Sequence, residues 1–148
     1  MEKSLIKNFR HTGIIVSNMQ KSQYFYENIL GFKVVQNYTD DSAYINKLLG
    51  IIDGEIHMVK LKSVDGYTLE LLEYLNHPTK LLEIPFYNVG ICHLAFSVDN
   101  IDKIYQRLIK KKVKTISKPL LSSEGNAKVF FCIDPNGIRI ELVQVLKC

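Results

Sequence analysis

Four side chains of this sequence have the types and the spacing to do chemistry together: His11, Glu70, His93 and Glu141. The first His and Glu stand 59 residues apart and the second pair 48 apart, each pair in one half of an internal repeat. Aligning His11 with His93 brings Val16 onto Val98, Asn18 onto Asn100 and Lys21 onto Lys103. Aligning Glu70 with Glu141 brings D-G-Y-T-L-E-L-L-E-Y, from Asp65, onto N-G-I-R-I-E-L-V-Q-V, from Asn136. Two independent anchors in the same order define a duplicated module of about 60–75 residues. Alternate residues of a strand share a face, so Leu69 and Leu71 point away from Glu70, and Ile140 and Leu142 away from Glu141. Leu72 and Val143 stand on the carboxylates' own face, which is therefore not simply wet. A carboxylate there must be paired, protonated or bound to a cation. Two imidazoles and two carboxylates converging at the pseudo-twofold of the repeat would hold a divalent metal. The plainer alternative is that each is an ordinary hydrogen-bonded or solvated strand residue, kept in both halves by shared ancestry alone.

The elements that must position these residues follow the same plan twice. Residues 11–17 are a short apolar run that reads as a strand. Ser17 or Asn18 caps a helix running to about Leu30, with Phe25, Tyr26, Ile29 and Leu30 on one face and Gly31 as its stop. Residues 32–36 form a second strand, and 43–49 fit a short helix. Residues 56–62 and 68–75 pair as a hairpin around Asp65-Gly66. In the second half, 92–98 is a strand, and Asp99 or Asn100 caps a helix with Ile101, Ile104, Tyr105 and Leu108 inward. Strands follow at 113–117, 127–133 and 138–146, the last two joined by Asp134-Pro135-Asn136-Gly137. The expected fold class is α+β: two tandem βαβββ modules, 1–75 and 91–148, joined by a linker at 76–90 that carries Pro78 and Pro85. Together they should form a curved mixed sheet around a metal-binding cavity.

Composition narrows the function classes. The 148 residues are 47% apolar and 23% charged, enough for one well-filled core and too apolar for disorder. No apolar run approaches the roughly 20 residues of a membrane span, and residues 1–10 lack the apolar stretch of a secretory signal. Cys92, Cys132 and Cys148 are an odd number without CxxC spacing, which fits neither a disulfide framework nor a cysteine zinc site. A cytoplasmic protein in a reducing compartment is expected. The net charge is +4. Its one dense basic run, Lys110-Lys111-Lys112 with Lys114, falls where a helix should end and suits the negative end of the dipole. It has no interleaved aromatics for stacking bases, so no nucleic-acid partner is expected, nor a membrane one.

The motifs H-T-G-I-I-V-S-N at 11–18, F-Y-E-N-I-L-G-F at 25–32, L-E-L-L-E-Y at 69–74, H-L-A-F-S-V-D-N at 93–100 and D-P-N-G-I-R-I-E-L at 134–142 resemble the vicinal oxygen chelate superfamily. That superfamily includes glyoxalase I, methylmalonyl-CoA epimerase, extradiol dioxygenases and fosfomycin- or bleomycin-resistance proteins. The resemblance covers about residues 9–146. It implies one divalent metal per site (Zn, Ni, Co, Mn or Fe) held by His11, Glu70, His93 and Glu141. It further implies proton transfer next to a carbonyl through a metal-stabilised enediolate, as in an epimerase, isomerase or glyoxalase-type lyase. Glu141 is then the first candidate base and Glu70 its partner on the opposite face. The substrate is a small molecule, and a homodimer is expected, with the site formed within one chain or across exchanged modules. Dioxygenases and fosfomycin-resistance enzymes do without a ligand at the Glu70 position, and bleomycin binders usually lack the metal set. Bacterial glyoxalase I carries an Arg and an Asn, both touching glutathione, where this sequence has Ile15 and Tyr74. The alternatives are lactoylglutathione lyase itself, an extradiol-type dioxygenase, or a non-catalytic small-molecule-binding protein.

Other polar residues have weaker claims. His57 is expected beside Glu70 in the hairpin, either lining the cavity or facing solvent. His77 belongs to the surface of the linker, and Cys92 reads as a small apolar filler. Glu73 and Tyr74 stand where they could reach a substrate at the sheet's edge, the plainer reading of Glu73 being a solvated carboxylate.

Overall fold

The computed structural model describes residues 5–146 except 78, 84, 86, 91 and 92. The sequence-based reading of Cys92 and the place of Pro78 in the linker therefore lie outside the described residues. The chain divides into two compact units, Met1–Thr79 and Lys80–Cys148.

The first unit is a four-stranded mixed sheet of order β1-β4-β3-β2. Strand β1 (Thr12–Ile15) leads into helix α1 (Met19–Gln23), which continues as a π-helical segment over Tyr24–Ile29. Asn18 is the cap, its side chain accepting from the Lys21 N–H at 2.9 Å. In the π segment Leu30 N–H reaches Phe25 O, one residue further back than in an α-helix. Phe25, Tyr26 and Ile29 all face inward, so the expected helix is present with a wider last turn. Gly31, at φ +89, stops it in the left-handed region that glycine enters at no steric cost.

Strand β2 (Lys33–Asp40) follows, then helix α2 (Ala43–Leu49), and β3 (Ile56–Lys62) and β4 (Thr68–Tyr74) form the hairpin. β2 runs four residues beyond the expected 32–36. Asn37 and Asp40 favour turns, but every residue from 37 to 40 pairs with β3 after a register shift between Val34 and Gln36, and the ladder outweighs local preference. The hairpin closes on Ser63 N–H to Tyr67 O at 3.0 Å, with Gly66 at φ +88. The Ser63 hydroxyl and the Tyr67 N–H both donate to Asp65 and hold its carboxyl below the usual range.

The second unit repeats the order as β5-β8-β7-β6. Strand β5 (His93–Ser97) leads into α3 (Ile101–Lys110), capped by Asn100, which accepts from the Lys103 N–H at 2.8 Å. Arg107 and Lys110 sit in the last turn of α3 and Lys111 caps it, the place expected for the basic run. The strand expected at 113–117 is not a strand. It makes one isolated bridge, Thr115 to Cys132, and the ladder resumes only at β6 (Leu120–Leu121). Pro119 has no N–H to donate, and a bend separates the two contacts. β7 (Ala127–Ile133) and β8 (Arg139–Val145) complete the sheet. The fold is thus α+β, built from tandem βαβββ modules.

Each sheet buries the face turned away from its glutamate. Leu69, Leu71, Val59 and Leu61 are fully buried in the first unit, where α1 packs on β3 and β4. Phe130, Cys132, Ile140 and Leu142 are their counterparts in the second, where α3 packs on β8. Each such aliphatic or aromatic side chain contributes about 1.5–3 kcal/mol on leaving water. Burial, with the nearby Asp134 carboxylate, pushes the Cys132 thiol up to about 12.

Candidate metal centre

The parallel pairing of first and last strand brings each His to its Glu. In the first unit Gly13 lies opposite Glu70, and His11 precedes Gly13 by two residues, on the same face. In the second, Ala95 lies opposite Glu141, with His93 two residues before it. The two modules therefore share one register. His11 Nε2 is 3.4 Å from Glu70 Oε2, and His93 Nε2 is 3.0 Å from Glu141 Oε2. Ligand bonds of about 2.0–2.2 Å, at angles between octahedral and tetrahedral, set neighbouring donor atoms roughly 3.0–3.5 Å apart. Each pair offers one nitrogen and one oxygen at that spacing, a donor set that suits a borderline divalent ion. The glutamates are half-buried, at 13% and 23% side-chain exposure, and both imidazoles are at 35%. Among the described residues no group of three or more His, Cys, Asp or Glu side chains is close enough to hold a metal ion. The four expected ligands are thus brought together as two pairs.

The neighbours of the two glutamates differ. Across the first hairpin Lys60 faces Glu70, its Nζ 3.3 Å from Oε1. The equivalent position in the second unit is Phe131, opposite Glu141, whose ring meets the His93 imidazole edge-on at 5.4 Å between centroids. Sequence reasoning missed Lys60 and put His57 beside Glu70. His57 instead lies opposite Glu73, with Nδ1 3.9 Å from Glu73 Oε2 and Nε2 2.7 Å from Asn37 Oδ1.

Glu73 is paired rather than simply solvated: the Met19 N–H, at the start of α1, donates to its Oε2 at 3.2 Å. Gln144 does the same for α3, accepting from the Ile101 N–H at 2.9 Å. Both sit three residues after the candidate ligand, and so on the helix face of their strand. The signal was present in the sequence, since Glu73 and Gln144 occupy equivalent places in the repeat. Tyr74 packs against a cluster of Ile45, Ile56 and Met58, joined by Ile51 and Leu72. Its ring also meets His77 edge-on, and His77 Nδ1 lies 2.9 Å from Asn76 Oδ1. Ile15 shares the face of Glu70 and is 59% exposed. No helix among the described residues is long and apolar enough to cross a membrane.

Comparison with known proteins agrees with this architecture. The chain is 30% identical over 141 residues to the uncharacterized protein YwkD of Bacillus subtilis, covering 95% of this chain and 98% of that protein. It is 31% identical to a lactoylglutathione lyase of Schizosaccharomyces pombe, over 90% of this chain but 46% of that protein. It is 25% identical to the human mitochondrial methylmalonyl-CoA epimerase, over 90% of this chain and 72% of that one. Among solved structures, a glyoxalase family protein from Bacillus cereus superposes with a TM-score of 0.89 at 20% identity, over 99% of both chains. The model of the Glyoxalase/Bleomycin resistance protein/Dioxygenase superfamily matches residues 8–142. With two βαβββ modules in one register and a family match over nearly its whole length, the chain belongs to that superfamily.

Proposed function

We propose that this protein is a divalent-metal-dependent enzyme that moves a proton next to a carbonyl group, in the manner of an epimerase or isomerase. The observation that supports this reading is the paired geometry: His11 with Glu70 and His93 with Glu141, at ligand spacing and in the same register. The two pairs would be the two halves of one four-ligand site, completed within a chain or between exchanged modules of a homodimer in the cytoplasm. A bound Zn, Ni, Co, Mn or Fe would supply Lewis acidity to the carbonyl oxygen. The rest of the chemistry belongs to the chain. Glu141, as the carboxylate, would remove the proton from the neighbouring carbon, and Glu70, turned away from the metal and protonated from water, would return one on the other side of the substrate. Two facing carboxyl groups suit inversion at a carbon, which needs a base on one face and an acid on the other.

Ile15 weighs against lactoylglutathione lyase as the activity. It presents a half-exposed aliphatic side chain on the face of Glu70, where the glutathione-binding Arg of that enzyme would stand. The test is elemental analysis of protein purified without chelators, as wild type and as Glu141→Gln. One transition metal per site in wild type, reduced or lost in the variant, supports the reading. Absence of metal from both, even after reconstitution, would sink it and leave a binding protein.

A further inference from the structure

We propose that Lys60 is a specificity-determining residue of this site, and that it selects a substrate with an anionic oxygen, a carboxylate, beside the reacting carbonyl. The inference rests on the metal-site reading above and adds the chemical class of the substrate. Glu70 divides its two oxygens: Oε2 faces His11 at 3.4 Å and Oε1 faces Lys60 Nζ at 3.3 Å. The ammonium is therefore one carboxylate away from the donor pair. The strand register fixes it there, since Lys60 and Glu70 are directly opposed on β3 and β4.

Charge counting gives the consequence. A divalent ion and the carboxylates of Glu70 and Glu141 cancel, the imidazoles being neutral ligands. Lys60 then adds a positive charge to that balance: Glu70 can turn Oε2 to a metal while Oε1 still faces the ammonium, and its one negative charge is then shared between two cations. At 25% side-chain exposure Lys60 is held against the sheet, where a charge-assisted hydrogen bond to an incoming oxygen is stronger than in open water. The position opposite Glu141 is Phe131, and the cation on that face, Arg139, stands two residues before Glu141, in register with His93.

The experiment is calorimetric titration of oxalate, a two-carboxylate chelator, into zinc-loaded wild type, Lys60→Met and Lys60→Arg, after titration of each protein with zinc alone. The proposal expects Lys60→Met to bind zinc at least as tightly as wild type and oxalate roughly tenfold more weakly, with Lys60→Arg recovering most of the loss. Equal oxalate affinity in wild type and Lys60→Met would overturn it. Loss of zinc together with oxalate in Lys60→Met would also overturn it, by showing that Lys60 builds the site rather than reading the substrate. Failure of the wild type to bind zinc would instead remove the metal-site reading, and this inference with it. Thermal melts of the three proteins separate any of these outcomes from misfolding.

Discussion

The two modules are built to one register, but their open faces carry different chemistry. His11 and Glu70 sit beside Lys60, whereas His93 and Glu141 sit beside Phe131. On the buried faces the equivalence continues: Leu71 matches Leu142, and Leu61 matches Cys132. The helix caps match as well, with Asn18 and Asn100 at the same place and Glu73 standing where Gln144 stands. Duplication has therefore kept the register, the caps and the His–Glu pairs, and let the residue across the hairpin from each glutamate diverge. The two glutamates, equal by position, are unequal across the hairpin: one is opposed by Lys60 and the other by Phe131.

The largest expected effect tests that inequality. Glu141→Gln should lower exchange of the substrate's proton in deuterated water by about 10³-fold, within the range of a general base, and Glu70→Gln should cost less. Equal losses measured by NMR would erase the distinction between the two carboxylates. Next come the cores. Leu71→Ala and Leu142→Ala remove matched buried side chains and should each cost about 3 kcal/mol in urea unfolding. Markedly unequal costs would show that the modules are packed differently despite their shared register.

A third difference lies at Cys132, which has leucine in its place in the first module. The folded thiol is raised from its ordinary 9.0 to about 12 by burial. Its contribution to stability is therefore complete below pH 9 and lost as the pH rises toward 12. Denaturation at pH 8 and pH 11 should show wild type losing about 1–2 kcal/mol more over that interval than Cys132→Ala. An identical slope in both proteins would mean that the thiol is not the group responsible. The caps give the smallest effects. Glu73→Ala and Gln144→Ala should each cost about 1 kcal/mol. Glu73→Gln, which copies the second module, should cost a few tenths at low salt and nothing at 1 M, because only screened charge contacts, to the start of α1 and to His57, are lost. A salt-independent loss would assign Glu73 a role beyond the end of α1.

Much of this was legible in the sequence because it depends on residue type at short range. Asn18 and Asn100, Gly31 and the apolar faces of both helices announce themselves locally. Lys60 did not, and the reason is a turn. A two-residue loop at Asp65-Gly66 would pair Val64 with Tyr67, placing Leu61 opposite Glu70 and turning Lys60 to the other face. The observed loop is one residue longer, Val64 to Gly66, closed by Ser63 and Tyr67. That single residue flips every side chain of β3 with respect to β4. The same limitation hid the end of β2, where pairing with β3 overrides the turn preference of Asn37 and Asp40. It also hid the break at 116–119, where Pro119 interrupts an otherwise β-prone run. What a residue touches across a sheet is set by the ladder, and the ladder is not a local property.

The parallel closure of each module has a consequence for the protein as it is made. His11 pairs with a strand that does not exist until Thr68–Tyr74 has been added, and His93 waits for Arg139–Val145. At about 5–20 residues per second of synthesis, the first histidine leaves the ribosome seconds ahead of its carboxylate. During that interval His11 stands without the glutamate it faces in the folded module. Neither pair can form before its module has folded, so the proposed metal site could be completed only by a correctly folded chain.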